Sequence, residues 1–265
     1  MSSLEQKYND LQEQLNSQQQ MFLITQKHIS DQKDLFESQV AERTKELSDA
    51  NNEIITLLYR TSHDFKSPVA SLKGLLQILE TQADDPIAKT IANKGYGILR
   101  TQENLFSNLN SYHHIKTIIP IKENIGFYPL IDSLLNNLEK DFPDIREKVE
   151  VLNPDFNFFT YPSLLEIIIK LVLENALIFS DSKPVSISAS TDEKCLFLAV
   201  TDSGEGIAED ISDKVFDMFF RGSTSSKGNG LGLFVVKSAV NKLKGKIKFQ
   251  SREQGGTIFE ILIPC

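Results

Sequence analysis

Neither glycine nor proline occurs before Pro68, so nothing in the first quarter of this 265-residue chain punctuates a helix. Cysteine is nearly absent as well. Cys195 sits in an apolar, strand-like run and Cys265 at the last position, a pair with neither metal-ligand spacing nor a disulfide framework. A reducing compartment suits such a chain, and the expected location is cytoplasmic. No apolar run is long enough to cross a bilayer: the longest, Leu164 to Phe179, is broken by Glu166, Lys170 and Glu174 and falls short of the roughly 20 residues required. The N-terminus is polar and glutamine-rich, unlike a signal peptide, so a soluble chain is expected, although a larger parent could carry sensors or membrane helices upstream. Basic charge is also short, 28 Lys and Arg against 36 Asp and Glu for a net −8, which argues against a nucleic-acid-binding face.

What is present is 40% hydrophobic, enough for at least one core in one or two domains. Residues 1 to 60 read as one long helix, about 90 Å if unbroken. Tyr8, Leu15, Phe22, Ile29 and Phe36 repeat every seven residues, with Leu4 and Leu11 on the other seam position. Gln18, Thr25, Gln32 and Gln39 continue that second row, so half of the seam is polar and the coiled coil is expected to be modestly stable. A second frame runs through Val40, Leu47, Ile54 and Thr61, and the four-residue step from Phe36 to Val40 is a stutter. The segment is either a plain dimerisation stalk or a helix that transmits a signal from upstream.

The helix is expected to continue past His63 to about Leu79, carrying Val69, Leu72, Leu76 and Leu79. A turn at Ala83-Asp84-Asp85-Pro86 follows, then a second helix from about Ile87 to Lys116. A lone helical hairpin has too few layers to bury both apolar faces, so two copies should pair into a four-helix bundle. Gly95 and Gly97 weaken the second helix by about 1 kcal/mol each relative to alanine. Pro120 marks a boundary, after which β-rich runs (149 to 152, 185 to 190, 196 to 201, 246 to 250, 257 to 263) mix with helical ones (127 to 141, 163 to 179, 231 to 243). That pattern reads as an α/β sandwich with helices on one face of a mixed sheet. The expected domains are 1–45, a coiled-coil helix; 46–118, the hairpin; and 121–265, the sandwich.

Six motifs carry chemistry. Ser62-His63-Asp64-Phe65-Lys66-Ser67-Pro68 lies on the first hairpin helix, where Pro68 cannot donate to the carbonyl of Asp64 and a bend is expected just below His63. An imidazole nitrogen is nucleophilic only when unprotonated, with its other nitrogen held, and Asp64 is the adjacent candidate base. Leu173-Glu174-Asn175-Ala176 lies on an apolar helix, and an asparagine carbonyl suits a hard, oxygen-seeking cation. Asp202-Ser203-Gly204-Glu205-Gly206 follows a strand, with Gly204 and Gly206 allowing close backbone approach. Phe216-Asp217-Met218-Phe219-Phe220-Arg221 precedes the small, polar run 222–227, which ends in its one cation, Lys227. Gly228-Asn229-Gly230-Leu231-Gly232 opens a helix, and free amides at the positive end of a helix cradle phosphate. Gly255-Gly256-Thr257-Ile258-Phe259 belongs to a closing hairpin.

In this order, over roughly residues 40 to 265, the motifs resemble the sensor histidine kinases of two-component signalling. The resemblance implies a Bergerat-type ATP-binding domain like that of the GHKL superfamily, and a dimeric histidine-bearing hairpin. His63 would be the phosphoacceptor, Asp64 its base, and Ser67 would stand where the family commonly has a threonine or asparagine that positions water for dephosphorylating the partner. Asn175 would bind Mg2+, and Asp202 would accept the adenine amino hydrogens and so select ATP over GTP. Gly204, Gly206, Gly228, Gly230, Leu231 and Gly232 would line the nucleotide. The aromatics of 216–220 would anchor a closing lid in the core, Arg221 would contact phosphate or form a hinge ion pair, and Lys227 would be the lid's cation. The implied partners are a second copy of the chain and the receiver domain of a response regulator, with no nucleic acid. Two positions depart from the family: Leu171 replaces its first asparagine, and Ile178 a lysine that often approaches phosphate. They motivate one alternative, a non-catalytic dimeric pseudokinase acting as an adaptor, and the glycine loops are shared with another, a GHKL clamp ATPase. The latter would need a glutamate base where Leu171 stands.

Overall fold

The structure, a computed structural model, describes residues 2–83, 85–153, 155–180, 183–192, 194–222, 228–252 and 254–264, with side chains described from residue 15 onward. The side chains of the heptad residues Leu4, Tyr8 and Leu11, the turn residue Asp84, the run 223–227 with Lys227, and Cys265 lie outside what is described. The chain divides into two compact units, Met1–Leu57 and Leu58–Cys265.

Helix α1 (Ser2–Gln82) supplies the first unit and the start of the second, and it remains helical through Pro68. It ends three residues beyond the expected Leu79, where the Ala83 amide still donates to the Leu79 carbonyl at 3.1 Å. In the first unit Leu15, Phe22, Ile29, Phe36, Val40, Leu47 and Ile54 are all exposed, an apolar series that the described residues leave uncovered. Helix α2 (Pro86–Thr117) begins where Asp85 accepts the Ile87 amide at 2.9 Å and Pro86 occupies the first turn, a position that needs no N–H. Leu76 packs against Gly95, Phe65 lies by Phe106, and Tyr59 stacks on His113, so α1 and α2 run antiparallel as a hairpin.

After the hairpin come β1 (Glu123–Gly126), α3 (Phe127–Leu138), α4 (Ile145–Lys148), β2 (Val149–Leu152), β3 (Asn157–Thr160), α5 (Pro162–Phe179), β4 (Val185–Thr191) and β5 (Cys195–Thr201). A 3-10 helix (Glu209–Lys214), α6 (Gly232–Lys242), β6 (Lys246–Ser251) and β7 (Thr257–Pro264) complete the chain. The main sheet has the order β2-β4-β5-β7-β6, with β2 and β4 parallel and the other pairs antiparallel, so it is mixed as the sequence predicts. Alternation fixes its faces. Val185, Ile187, Leu196, Leu198, Val200, Phe259, Ile261 and Ile263 are buried beneath α3, α5 and α6, whereas Ser188, Phe197, Lys248 and Glu260 lie on the other face.

Two details depart from the sequence reading. Strands β1 and β3 form an additional two-stranded antiparallel sheet, with Glu123 opposite Thr160. Helix α3 stops at Leu138 instead of Asp141, because the amides of Asp141 and Phe142 both turn back to the Leu138 carbonyl, at 3.0 and 2.9 Å.

Candidate functional site

His63 and Asp64 project from α1 with both side chains exposed, and His63 Nδ1 lies 3.5 Å from Asp64 Oδ1. Ser62, one position earlier, is buried and turns its hydroxyl back to the Leu58 carbonyl at 2.7 Å, so the helix presents His63 outward by facing Ser62 inward. Ser67, one turn beyond His63, is exposed too. Tyr59 and His113 stack with centroids 4.2 Å apart, and Phe65 and Phe106 lie 6.1 Å apart. These pairs bracket His63 and set it level with residue 108 of α2.

Asp202 directly follows the β5 strand and is only 4% exposed. Its Oδ1 accepts the amides of Gly204 at 2.8 Å and Thr257 at 3.0 Å, while its own amide donates to the Thr257 carbonyl at 2.9 Å. Among the described residues Oδ2 receives no hydrogen bond, so a single carboxylate oxygen holds the group in place. Gly204 is required sterically: a Cβ there would meet the Phe179 carbonyl oxygen at 2.6 Å. The end of α5 is tied to the same loop, since the Ser180 hydroxyl accepts the Ser203 amide at 3.1 Å. Gly206 (φ +80°) is followed by Ile207, whose amide and carbonyl both bond the Ser251 hydroxyl, at 2.9 and 2.6 Å. Ser180, Ser251 and Thr257 are therefore supporting residues that sequence reasoning missed. Only the Gly255-Gly256-Thr257 turn carried a local signal.

Asn175 is half-buried on α5, and its side chain makes no hydrogen bond among the described residues. Leu171, one turn earlier, is 6% exposed and belongs to the core. Burial pushes the neighbouring Glu174 carboxyl above the usual glutamate range; Lys170, 3.8 Å away, opposes this, Asp141 adds to it and Arg100 opposes it. Among the described residues no group of three or more His, Cys, Asp or Glu side chains forms a metal cage. The donor set instead fits Mg2+ held by one amide oxygen together with phosphate and water, the usual arrangement for this ion.

The aromatic segment corrects one expectation. Phe216 packs against the core, 6.1 Å from Phe249, but Phe219 is 56% exposed at φ +64° and does not act as an anchor. That unfavourable backbone geometry for a bulky residue is held by the bond from the Phe219 amide to the Gly230 carbonyl at 3.0 Å. Gly230 (φ +72°) cannot carry a side chain, because a Cβ would meet the Phe220 carbonyl oxygen at 2.6 Å. Gly228 and Gly232 have open space where a Cβ would sit. Arg221 is exposed.

One face of α2 meets the α/β portion of the same unit. Arg100 Nη2 donates to the Asp141 carbonyl at 2.6 Å, Asn108 Nδ2 to Asn229 Oδ1 at 3.2 Å, and Lys242 Nζ to the Lys116 carbonyl at 3.4 Å; Tyr112 lies 5.0 Å from Phe234. The loop containing Asn229 is thus brought to the height of His63.

Residues 160–265 match the family model described as histidine kinase-, DNA gyrase B- and HSP90-like ATPase. The chain is 29% identical over 221 residues to the sensor protein KdpD of Clostridium acetobutylicum, covering 78% of this chain and 24% of that protein. It is 28% identical over 241 residues to the histidine protein kinase SaeS of Staphylococcus aureus, covering 85% of this chain and 68% of that one. It therefore spans about a quarter of one relative and about two thirds of the other. In fold it is similar to full-length ShkA in complex with AMPPNP (TM-score 0.56, 21% identity, 79% of this chain and 45% of that one). It is also similar in fold to the histidine kinase AdeS of Acinetobacter baumannii (TM-score 0.53, 22% identity, 76% and 97%).

Proposed function

We propose that this chain is a sensor histidine kinase that transfers the γ-phosphoryl group of ATP to His63 and then to an aspartate on the receiver domain of a response regulator. The observation that carries this reading is the exposed imidazole with Nδ1 turned to Asp64, level with the loop that ends at Gly232. With Nδ1–H directed at the Asp64 carboxylate, Nε2 keeps its lone pair facing outward. Nε2 attacks the γ-phosphorus, an N–P bond forms, the bond to the β-phosphate oxygen breaks and ADP leaves; the Asp64 carboxylate stabilises the positive charge that develops on the ring and takes the Nδ1 proton, leaving a neutral phosphoimidazole. In this reading Asp202 Oδ2 accepts the adenine amino group, and Gly204 and Gly206 admit the base. Gly228, Gly230, Leu231 and Gly232 lie along the phosphates, and Arg221 and Lys227 serve the lid. Asn175 would hold Mg2+, which supplies charge neutralisation at the phosphates when bound. Ser67 would orient water for removal of phosphate from the partner.

Exposed Phe65, Leu72, Ile78, Ile91 and Ile98 on the hairpin support pairing of two copies into a four-helix bundle. The exposed heptad positions of the first unit likewise support a coiled coil. The proposed organisation is 1–45 coiled coil, 46–118 hairpin and 121–265 catalytic domain. The proposed site of action is cytoplasmic, the reducing compartment that suits a chain with two cysteines and no disulfide framework; no described helix is long and apolar enough to cross a membrane.

Buried Leu171 favours the second reading, a non-catalytic dimeric adaptor, because the position offers neither amide nor carboxylate. The same residue disfavours a clamp ATPase, which needs a general base there. Incubation with γ-labelled Mg-ATP separates the readings. Acid-labile, alkali-stable label that disappears in His63→Gln while ATP binding persists is the expected result. Label retained in His63→Gln would move the acceptor elsewhere, and ATP binding without label would favour the adaptor.

A further inference from the structure

We propose that Asn108 and Asn229 form a latch that nucleotide must displace, so that α2 sets the affinity of the phosphate loop. The inference rests on the reading of residues 228–232 as that loop. Asn229 Oδ1 accepts two donors at once, the Leu231 amide at 3.0 Å from within the loop and Asn108 Nδ2 at 3.2 Å from α2, across 121 residues of sequence. Both lone pairs of that oxygen are used. Leu231 is 1% exposed and Asn108 9%, so neither donor has ready access to bulk water in exchange.

In this arrangement the Asn229 side-chain oxygen occupies the hydrogen-bonding place that a phosphate oxygen would take on the Leu231 amide. A phosphate oxygen is the stronger acceptor, because charge-assisted hydrogen bonds are roughly twice as strong as neutral ones. When phosphate takes the Leu231 amide, the bond that orients Asn229 is lost and Asn108 is released. The other contacts of α2, through Arg100, Tyr112 and Lys116, do not involve the loop, so the latch acts on the loop and leaves those contacts in place. Coupling of this kind is reciprocal: nucleotide loosens α2 from the loop, and any input that tightens α2 on the loop weakens nucleotide binding.

The test is equilibrium binding of a non-hydrolysable ATP analogue with Mg2+ to the full chain. Asn108→Asp removes the donor and sets a carboxylate against Asn229 Oδ1, and it should tighten binding roughly three- to tenfold, the worth of one ordinary hydrogen bond. A merely structural role for Asn108 would give unchanged or weaker binding. Adding Asn108→Asp to Asn229→Ala should give no further gain. Independently, Asn108→Cys with Asn229→Cys, oxidised to a disulfide, should bind the analogue at least tenfold more weakly than the same protein after reduction. Equal affinity of the oxidised and reduced forms overturns the latch, as does unchanged or weakened binding in Asn108→Asp. A wild-type chain that binds no analogue would overturn the nucleotide reading itself and the latch with it.

Discussion

Asp202 holds its loop through Oδ1 and offers Oδ2 as the proposed adenine contact, and substitutions can separate these roles. Asp202→Asn keeps an oxygen for the amides of Gly204 and Thr257 but replaces Oδ2 by a donor that faces the proposed adenine amino group. The protein should remain folded while affinity for an ATP analogue falls at least tenfold. Asp202→Ala should also unfold at lower denaturant concentration, since each orphaned buried amide costs about 1–3 kcal/mol. Unchanged affinity in Asp202→Asn would mean that the 202–206 loop has been misread. Glu174 makes a pH prediction. Burial raises its folded-state pKa, so the native protein holds this proton more tightly than the unfolded chain does. Its contribution to stability is therefore full below the ordinary glutamate value, about 4.3, and is lost as pH rises through the raised value. Glu174→Gln should stabilise the protein at neutral pH, with the advantage shrinking as the medium is acidified. Thermal unfolding across pH measures it, and a gap that widens in acid would contradict the assignment. The sequence displays Asp202 and Glu174 plainly, but their burial and partners come from residues 55 and 33 positions away, Thr257 and Asp141.

At the scale of elements, the two glycines of α2 are unequal although their sequence setting is similar. A Cβ at Gly97 would meet nothing within 4 Å, whereas one at Gly95 would lie 2.7 Å from Leu76 Cδ1. Gly97→Ala should raise stability by about 1 kcal/mol, the helix-propensity difference. Gly95→Ala should give a smaller gain or a loss, because Leu76 must move; urea unfolding of the two variants gives the comparison. The helices were legible because their periodicity and end signals are local, Asp85-Pro86 being the clearest. The β1–β3 sheet was not. Each strand has four residues, too few for alternation to register, and each exists only through its pairing with the other.

At the scale of the whole molecule, the unpartnered apolar series of the stalk suggests how an upstream input would reach His63. Deleting one residue between Phe36 and Val40 should turn the lower heptads by about 100° relative to the upper ones. The polar layers at Gln18, Gln32 and Gln39 enforce the upper register only weakly, so the dimer should survive. Autophosphorylation should vary strongly with deletions of one, two or three residues and return toward the starting level when seven are removed. Flat rates across the series, in variants verified as dimers, would reduce residues 1 to 40 to a passive stalk.

The order of the motifs, the long N-terminal helix, the hairpin and the mixed sheet were determined by the sequence alone, because periodicity, capping and turn chemistry act over a few residues. Tertiary structure alone decided that Phe219 lies exposed while Phe216 packs, that Thr257 grips Asp202, and that Asn108 reaches Asn229. Each of these depends on which surfaces meet when α2, α5, α6 and the sheet pack together. A local pattern of residue types does not encode the distance between two side chains 55 or 121 positions apart.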